Sequence, residues 1–471
     1  MVLKVLVNPS SLEFSLTLPG RLSIKFCLLF DGGVAVTIKA IKGINDILPD
    51  VVGKWQLVES VARRIFSNFN FKEIRIPILE KTELFARSIG QTTDIVEKEM
   101  YTFPDRNGQL LTLRPEATAS VVRAFIQHKL HLQPAMRKFY TMGPMFRHER
   151  PQKGRYRQFH QINVEVFAMD DPMVDAEVIY MLLVFLEELK IPDIKLHINS
   201  MGCPDCRLPF RQSLADYLEG VSDQLCSDCQ RRRLTNSLRI FDCKVDSCNK
   251  LVDRAPVLLD HLCPECGKNF QSVKEHLGSL AVAYTVDPFM VRGLDYYTRT
   301  IFEVITPHLG AQDAVGGGGR YDGLMKALGG PDLPATGFAI GMERLILLLD
   351  DKAGAATESN RLFVACLGEE AKSKGFPLVQ ELRLSGLSVE MDYESKSLKA
   401  QMRRADKLEA THVLILGDDE LAKGVALLRN METSSQEEIS LGKIVEKLLW
   451  RFKVTTAGSH VAKSDTPDGK V

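Results

Sequence analysis

Apolar residues recur at Leu57, Val58, Val61, Ala62, Ile65, Phe66 and Phe69. Steps of three and four predict a helix with one buried face. The run Ile74-Arg75-Ile76-Pro77 follows and predicts a short strand. Proline lacks an amide donor, so this strand is expected at a sheet edge or an interface. Residues 139–146 and 162–167 read as two further strands, and the stretch between them predicts an antiparallel pair joined by a long loop. Residues 300–306 and 338–340 add strands, and residues 342–349 predict an apolar helix packed on the sheet. The expected fold class is α+β, built on an antiparallel sheet.

The pattern changes toward both ends and in the middle. Residues 1–37 show no sustained periodicity and are interrupted by Pro9, Pro19, Gly20, Gly32 and Gly33. They are expected to be disordered or to precede the true start. Residues 38–354 are expected to form the main domain. Within it, residues 200–280 are cysteine-rich and helical between strand segments, the pattern of an insertion. Residues 355–360 read as a linker. Beyond it, strands at 362–367, 388–391, 412–416 and 425–428 alternate with helices ending at 384 and spanning 397–409. That alternation predicts a small α/β domain over residues 360–452. The polar residues 455–471 are expected to be a disordered tail.

Charge and composition narrow the function. Sixty basic residues balance sixty acidic ones among 471, and 45% of the chain is hydrophobic. Such a chain is neither disordered, collagen-like nor a strongly basic nucleic-acid binder. A nucleic-acid partner would need locally concentrated positive charge. No apolar run approaches the ~18 residues of a membrane helix, so no membrane is expected. The apolar run at residues 26–30 is too short for a secretion signal. A cytoplasmic location is expected, with thiols free or metal-bound.

Chemistry-bearing residues gather in five places. Between the first pair of strands stand Arg147, Arg150, Lys153, Arg155 and Arg157 against a single acid, Glu149. Charge alone fits a solvated loop, but arginines at a strand end also suit bidentate phosphate binding. Tyr156, Phe159 and His160 are interleaved and suit stacking on bases, and Glu165 offers a carboxylate to a cationic ligand. Leu113-Arg114-Pro115-Glu116-Ala117-Thr118 reads equally as a pocket mouth or a helix cap. The other three are Arg292-Gly293-Leu294-Asp295-Tyr296-Tyr297, the stretch from Gly316 to Gly323 with Arg320, Tyr321 and Asp322, and Gly337 to Arg344. No phosphate-binding P-loop is present, and the run from Gly316 to Gly319 does not fit a dinucleotide fingerprint.

Together and in this order, these motifs resemble the bacterial-type histidyl-tRNA synthetases, a class II aminoacyl-tRNA synthetase family. The resemblance covers about residues 38 to 450 and begins at Ile41-Lys42-Gly43-Ile44-Asn45-Asp46-Ile47-Leu48-Pro49. It implies a class II catalytic domain, a C-terminal anticodon-binding domain and a homodimer. It implies ATP-dependent activation of L-histidine to histidyl-adenylate, then transfer to the 3′ end of tRNA(His), releasing AMP and diphosphate. Carried onto this chain, Arg147 and Arg292 would meet the α-phosphate from opposite sides and act in catalysis. Arg344 would meet the γ-phosphate, and Glu149 and Arg155 would help place ATP. Glu116, Thr118, Gln161, Glu165, Tyr297 and Tyr321 would line the histidine pocket. Arg150 and Gln152 would contact the tRNA acceptor end, and Mg2+ would accompany ATP. The basic helix with Lys396, Lys399, Arg403, Arg404 and Lys407 would belong to the anticodon-binding domain.

Ten cysteines are present, eight of them from Cys203 to Cys266. Cys203/Cys206, Cys226/Cys229 and Cys263/Cys266 have zinc-ligand spacing, and Cys243/Cys248 is looser. Two structural Zn2+ sites are arithmetically available, without any residue being assigned as a ligand at this point. Two rival readings stand beside the synthetase: a regulatory subunit of ATP phosphoribosyltransferase, which resembles the catalytic core but normally lacks the anticodon domain, and a tRNA-binding module without activity.

Overall fold

The stripe from Leu57 to Phe66 lies on the helix Pro49–Asn68, which buries Val58, Val61, Ala62, Ile65 and Phe66 and ends just before Phe69. In this computed structural model the described residues are 38–452 except 90–92, 94, 134, 311–312, 352, 355–360 and 395, with the backbone of 2–8, 11–17 and 23–29. The expected linker and tail lie outside them. The chain divides into two units, Met1–Asp351 and Lys352–Val471.

The first unit is organised by an eight-stranded sheet. Its order is Thr285–Val286, Lys195–Ser200, Thr298–Ile305, Ala314–Arg320, Ala335–Gly341, Gln158–Phe167, Lys138–Phe146, Lys72–Glu73. The six inner strands run antiparallel, and the two edge strands pair in parallel. The pair Lys138–Phe146 and Gln158–Phe167 is in register from Lys138↔Val166 to Phe146↔Gln158. The second strand therefore begins four residues before the expected Ile162, and Gln161 sits in the ladder. Helix Pro172–Glu188 is apolar nearly all round and buries Val178, Ile179, Leu182 and Phe185.

The run 74–77 is not a strand: the edge strand is Lys72–Glu73, and Ile74 adds one amide bond to Tyr140 at 2.8 Å. Its later carbonyls, of Ile76 and Pro77, turn to the buried Arg114 guanidinium at 2.7 and 3.2 Å. The run Gly316–Gly319 is part of a central strand. A Cβ on Gly318 would lie 1.9 Å from the Gly337 carbonyl, so only glycine allows the two strands to approach this closely there. Residues 1–37, expected to be disordered or to precede the true start, carry the strands Val2–Asn8, Ser11–Thr17 and Ser23–Leu29 in an antiparallel sheet of their own. The alternation Leu12, Phe14, Leu16 and Ile24, Phe26, Leu28 has the strand period of two.

Residues 200–280 are helical. Helices Pro204–Gly220, Ser227–Thr235, Asp246–Val252 and Pro264–Ser279 surround a small core with Phe210, Leu214, Leu225 and Ile240. The second unit carries a five-stranded sheet ordered Ser388–Met391, Arg361–Cys366, His412–Leu416, Val425–Asn430, Gln436–Ser440. Its first three strands are parallel and the last two antiparallel. Gln436–Ser440 escaped the periodicity reading because an edge strand needs few apolar residues, and only Ile439 is buried.

Candidate functional site

Strand geometry builds the floor of one cleft. On Gln158–Phe167, residues 159, 161, 163 and 165 share a face, and Phe159, Gln161, Asn163 and Glu165 all line the cleft. Across the ladder stand Gly341, Ala339 and Gly337, opposite Gln161, Asn163 and Glu165. Their small side chains keep the floor open. A Cβ on Gly337 would lie 2.5 Å from Glu165 Oε2 and 2.1 Å from the Val164 carbonyl.

One end of the cleft is cationic. Arg147, Arg155, Arg292 and Arg344, distant in sequence, all line it. Arg147 donates through Nε to the Pro115 carbonyl at 2.9 Å and lies 5.2 Å over the Phe159 ring. Glu149 sits between two of the cations, 2.7 Å from Arg155 Nε and 3.8 Å from Arg147 Nη1. Arg292 pairs with Glu303. Burial opposes the charge on Arg292, but Glu303 and then Tyr297 outweigh it and raise its pKa. Arg344 donates to the Ala314 carbonyl, and burial, then the nearby Arg155, lower its pKa. Like charges held together in a half-buried cleft make a site for a polyanion.

The other end is a carboxylate and hydroxyl pocket. Glu165, 1% exposed, accepts from Thr118 Oγ1 at 2.7 Å and from the Tyr321 hydroxyl. Burial pushes its carboxyl up to about 8, against the lowering effect of these two bonds. Glu116 accepts from the amides of Thr118 and Ala119 at 2.7 and 2.9 Å. It thus caps the helix Thr118–Gln127 while also lining the cleft, so both readings of this residue hold. Tyr297 and Tyr321 close the wall, 8% and 2% exposed.

Buried polar atoms without partners mark where a ligand would fit. Gln161 Oε1, Asn163 Oδ1 and Arg292 Nε are buried without a hydrogen bond. An unpaired buried polar atom costs on the order of 1–3 kcal/mol, a cost that a bound polar molecule removes.

Every residue expected to bind ATP or histidine lines this one cleft. Arg150 and Gln152 do not: they stand exposed on the tip of the loop, where Gln152 and Arg155 exchange backbone bonds of 3.0 and 2.9 Å. The loop is buttressed from below, since the Gly43 carbonyl accepts from the amides of Arg157 and Gln158 at 2.8 and 3.2 Å. His160, expected to stack on a base, faces the opposite side of its strand. Glu343 accepts from its amide at 2.8 Å and contacts its Nδ1 at 3.0 Å, and Trp55 lies 4.9 Å away. Sequence reasoning missed Asn163, Glu303 and Glu343. The strand period pointed to Asn163, midway between Gln161 and Glu165. Nothing local pointed to Glu303, which meets the cleft only through its register with Gly317.

In the second unit, Arg404 pairs with the buried Asp392 at 3.1 Å and Lys396 with Glu394 at 2.6 Å, whereas Lys399, Arg403 and Lys407 are exposed. Among the described residues no helix is long and apolar enough to cross a membrane.

Comparison with known proteins agrees with this geometry. The family described as "Histidyl-tRNA synthetase" matches residues 43–205 and 232–345, and "Anticodon binding domain" matches residues 361–451. The histidine–tRNA ligase of Syntrophotalea carbinolica is 55% identical over 414 residues, covering 88% of this chain and 99% of its own. That of Geobacter sulfurreducens is 55% identical over 404 residues, covering 86% and 97%. The crystal structure of apo S. aureus histidyl-tRNA synthetase superposes with a TM-score of 0.73 at 37% identity, covering 87% of this chain and 99% of that one. With most of its length matched by the family and its relatives spanned nearly end to end, the chain belongs to the histidyl-tRNA synthetase family of class II aminoacyl-tRNA synthetases.

Proposed function

We propose that the cleft holds ATP and L-histidine side by side and that the chain charges tRNA(His) in two steps. The reaction is that of its family, histidine–tRNA ligation. In the first step a carboxylate oxygen of histidine attacks the α-phosphorus, the bond to the bridging oxygen breaks, and diphosphate leaves. In the second, a hydroxyl of the tRNA 3′-terminal ribose attacks the acyl carbon and AMP leaves. The observation that carries this reading is the convergence of Arg147, Arg292 and Arg344 on one cleft whose other end is built from Glu165, Thr118 and Tyr321.

No protein nucleophile is needed. The side chains orient the reactants and stabilise charge developing on the α-phosphate. Arg147 and Arg292 hold that phosphate from opposite sides, Arg344 takes the γ-phosphate, and Glu149 with Arg155 places the nucleotide. Glu165 receives the substrate ammonium, with Glu116, Thr118, Gln161, Tyr297 and Tyr321 around the rest of histidine. An imidazole needs both a donor and an acceptor, and a pocket lined by such groups rejects analogues that leave them unpaired. Mg2+ accompanying ATP would supply further charge neutralisation on the phosphates. Glu149 and Glu303, both close enough to raise the pKa of Arg344, are the oxygen donors that would hold the ion. Arg150 and Gln152 meet the acceptor end, the domain at 360–452 meets the anticodon, and the working form is a cytoplasmic homodimer.

Histidine-dependent exchange of diphosphate into ATP tests the reading. Exchange with histidine alone among the twenty amino acids is expected. No exchange with histidine would favour the regulatory-subunit or binding-module readings. The match of residues 361–451 to an anticodon-binding domain already weighs against the first of these.

A further inference from the structure

The eight cysteines of the insertion are not used by the proposed chemistry. They form two groups: Cys203, Cys206, Cys263 and Cys266, and Cys226, Cys229, Cys243 and Cys248. In each group one sulfur per residue lies within 4.8 Å of all the others. We propose that each group binds one structural Zn2+ and that the two ions hold the insertion against the wall of the cleft.

The distances select the ligand. Four sulfurs at ~2.3 Å from a tetrahedral zinc stand about 3.8 Å apart. Cys203 and Cys206 Sγ stand 3.5 Å apart, and Cys226 and Cys243 Sγ 3.9 Å. A disulfide needs a separation of about 2.05 Å and would use two of four equivalent sulfurs. An iron–sulfur cluster would hold its four sulfurs apart by its own width, which a 4.8 Å limit does not allow. Hard cations prefer oxygen, so an all-sulfur tetrahedron selects a single thiophilic ion, and zinc binds such a site without any redox chemistry.

The backbone is arranged for thiolates. Cys203, Cys226 and Cys263 each stand at the N-cap of a helix, with Cys206, Cys229 and Cys266 in its first turn. Amides point at the sulfurs: Cys263 N to Cys206 Sγ at 3.1 Å and Cys226 N to Cys248 Sγ at 3.3 Å. Gly202 admits the first group, since a Cβ there would lie 2.6 Å from Cys206 Cβ. Its φ of +54° also belongs to the left-handed region that favours glycine.

The first group ties the start of helix Pro204–Gly220 to the start of helix Pro264–Ser279, at the neck where the insertion leaves the sheet. From the neck, Arg207 donates to the carbonyls of Met201 and Tyr297, and Arg299 pairs with Glu265 at 2.9 Å. From the head, Arg239 donates to the Gly293 carbonyl, and Asn236 to Asp295 at 3.2 Å. Both groups thus bear on the segment carrying Arg292 and Tyr297.

The sites are tested on the full chain, independently of aminoacylation. Metal analysis of the purified protein is expected to give two zinc ions per chain. The Cys206→Ser/Cys266→Ser variant and the Cys229→Ser/Cys248→Ser variant should each retain one. Because a variant can misfold, cobalt replacement in the unmutated chain supplies the second readout. Two Co2+ per chain with the intense visible bands of tetrahedral thiolate coordination are expected. Fewer than two zinc ions in the unmutated chain, iron in their place, or cobalt without those bands would overturn the proposal. Amide exchange after chelation should quicken over residues 203–266 and at Gly293 and Asp295, but not in the strand 158–167. Unchanged exchange across the insertion would equally refute it.

Discussion

The cleft and the insertion hold their polar groups in opposite ways. In the cleft, an antiparallel ladder fixes the backbone, so side chains such as Gln161 and Asn163 stand rigidly with buried atoms unpaired. In the insertion, short helices share a small core, and order depends on side chains meeting one another, above all eight sulfurs in two groups. Rigid backbone permits unsatisfied, ligand-ready groups. Where the backbone supplies little, the side chains must be cross-linked. The comparison predicts that the cleft fails chemically when a side chain is lost, while the insertion fails mechanically when its cross-links are removed.

The largest effect should come from Arg292→Ala. Removing one preorganised charge from the developing transition state costs ~10²–10³-fold in rate. Diphosphate exchange should fall by that factor while tRNA binding, measured by filter retention, stays near that of the unmutated protein. Near-normal exchange would mean the arginine is misassigned.

Next in size is Gly337→Ala. The added methyl meets Glu165 Oε2 and the Val164 carbonyl, so the two strands must part. Overpacking of this kind costs about 1–3 kcal/mol. A lower melting temperature together with a raised KM for histidine is expected. Full stability and an unchanged KM would show that the floor is looser than the ladder implies.

A smaller effect is a proton. With the pocket empty, burial holds the Glu165 carboxyl at about 8, so it is protonated at neutral pH. A substrate ammonium beside it favours the carboxylate and lowers that pKa. Histidine binding at pH 7 should therefore release about one proton, read as a dependence of calorimetric enthalpy on the buffer's ionisation heat. The release should vanish in Glu165→Gln and shrink above pH 9, where the carboxyl is already ionised. Proton uptake on binding would reverse the sign and break the account of this pocket. Smallest of all, Lys399→Ala should lower the salt dependence of tRNA binding by about one phosphate contact without changing exchange.

Much of this architecture was legible in the sequence, for identifiable reasons. Strands such as 138–146 and 412–416 carry enough apolar residues to be seen locally. The arginines came together only through the family resemblance, because Arg147, Arg292 and Arg344 are far apart in the chain and no local pattern links them. His160 looked like a base stacker because a strand's facing depends on its neighbours across the sheet. Glu303 was invisible for the same reason. The cysteine spacing suggested metal, but the partition into two groups of four required the fold: the first group joins residues 203 and 266, at opposite ends of the insertion.

The central claim is that one cleft receives histidine and the α-phosphate together. A crystal structure with a non-hydrolysable histidyl-adenylate analogue tests it most directly. The account predicts the phosphate mimic between Arg147 and Arg292, the ammonium on Glu165, and new hydrogen bonds to Gln161 Oε1 and Arg292 Nε. An analogue bound elsewhere, or bound here with those atoms still unpaired, would contradict it.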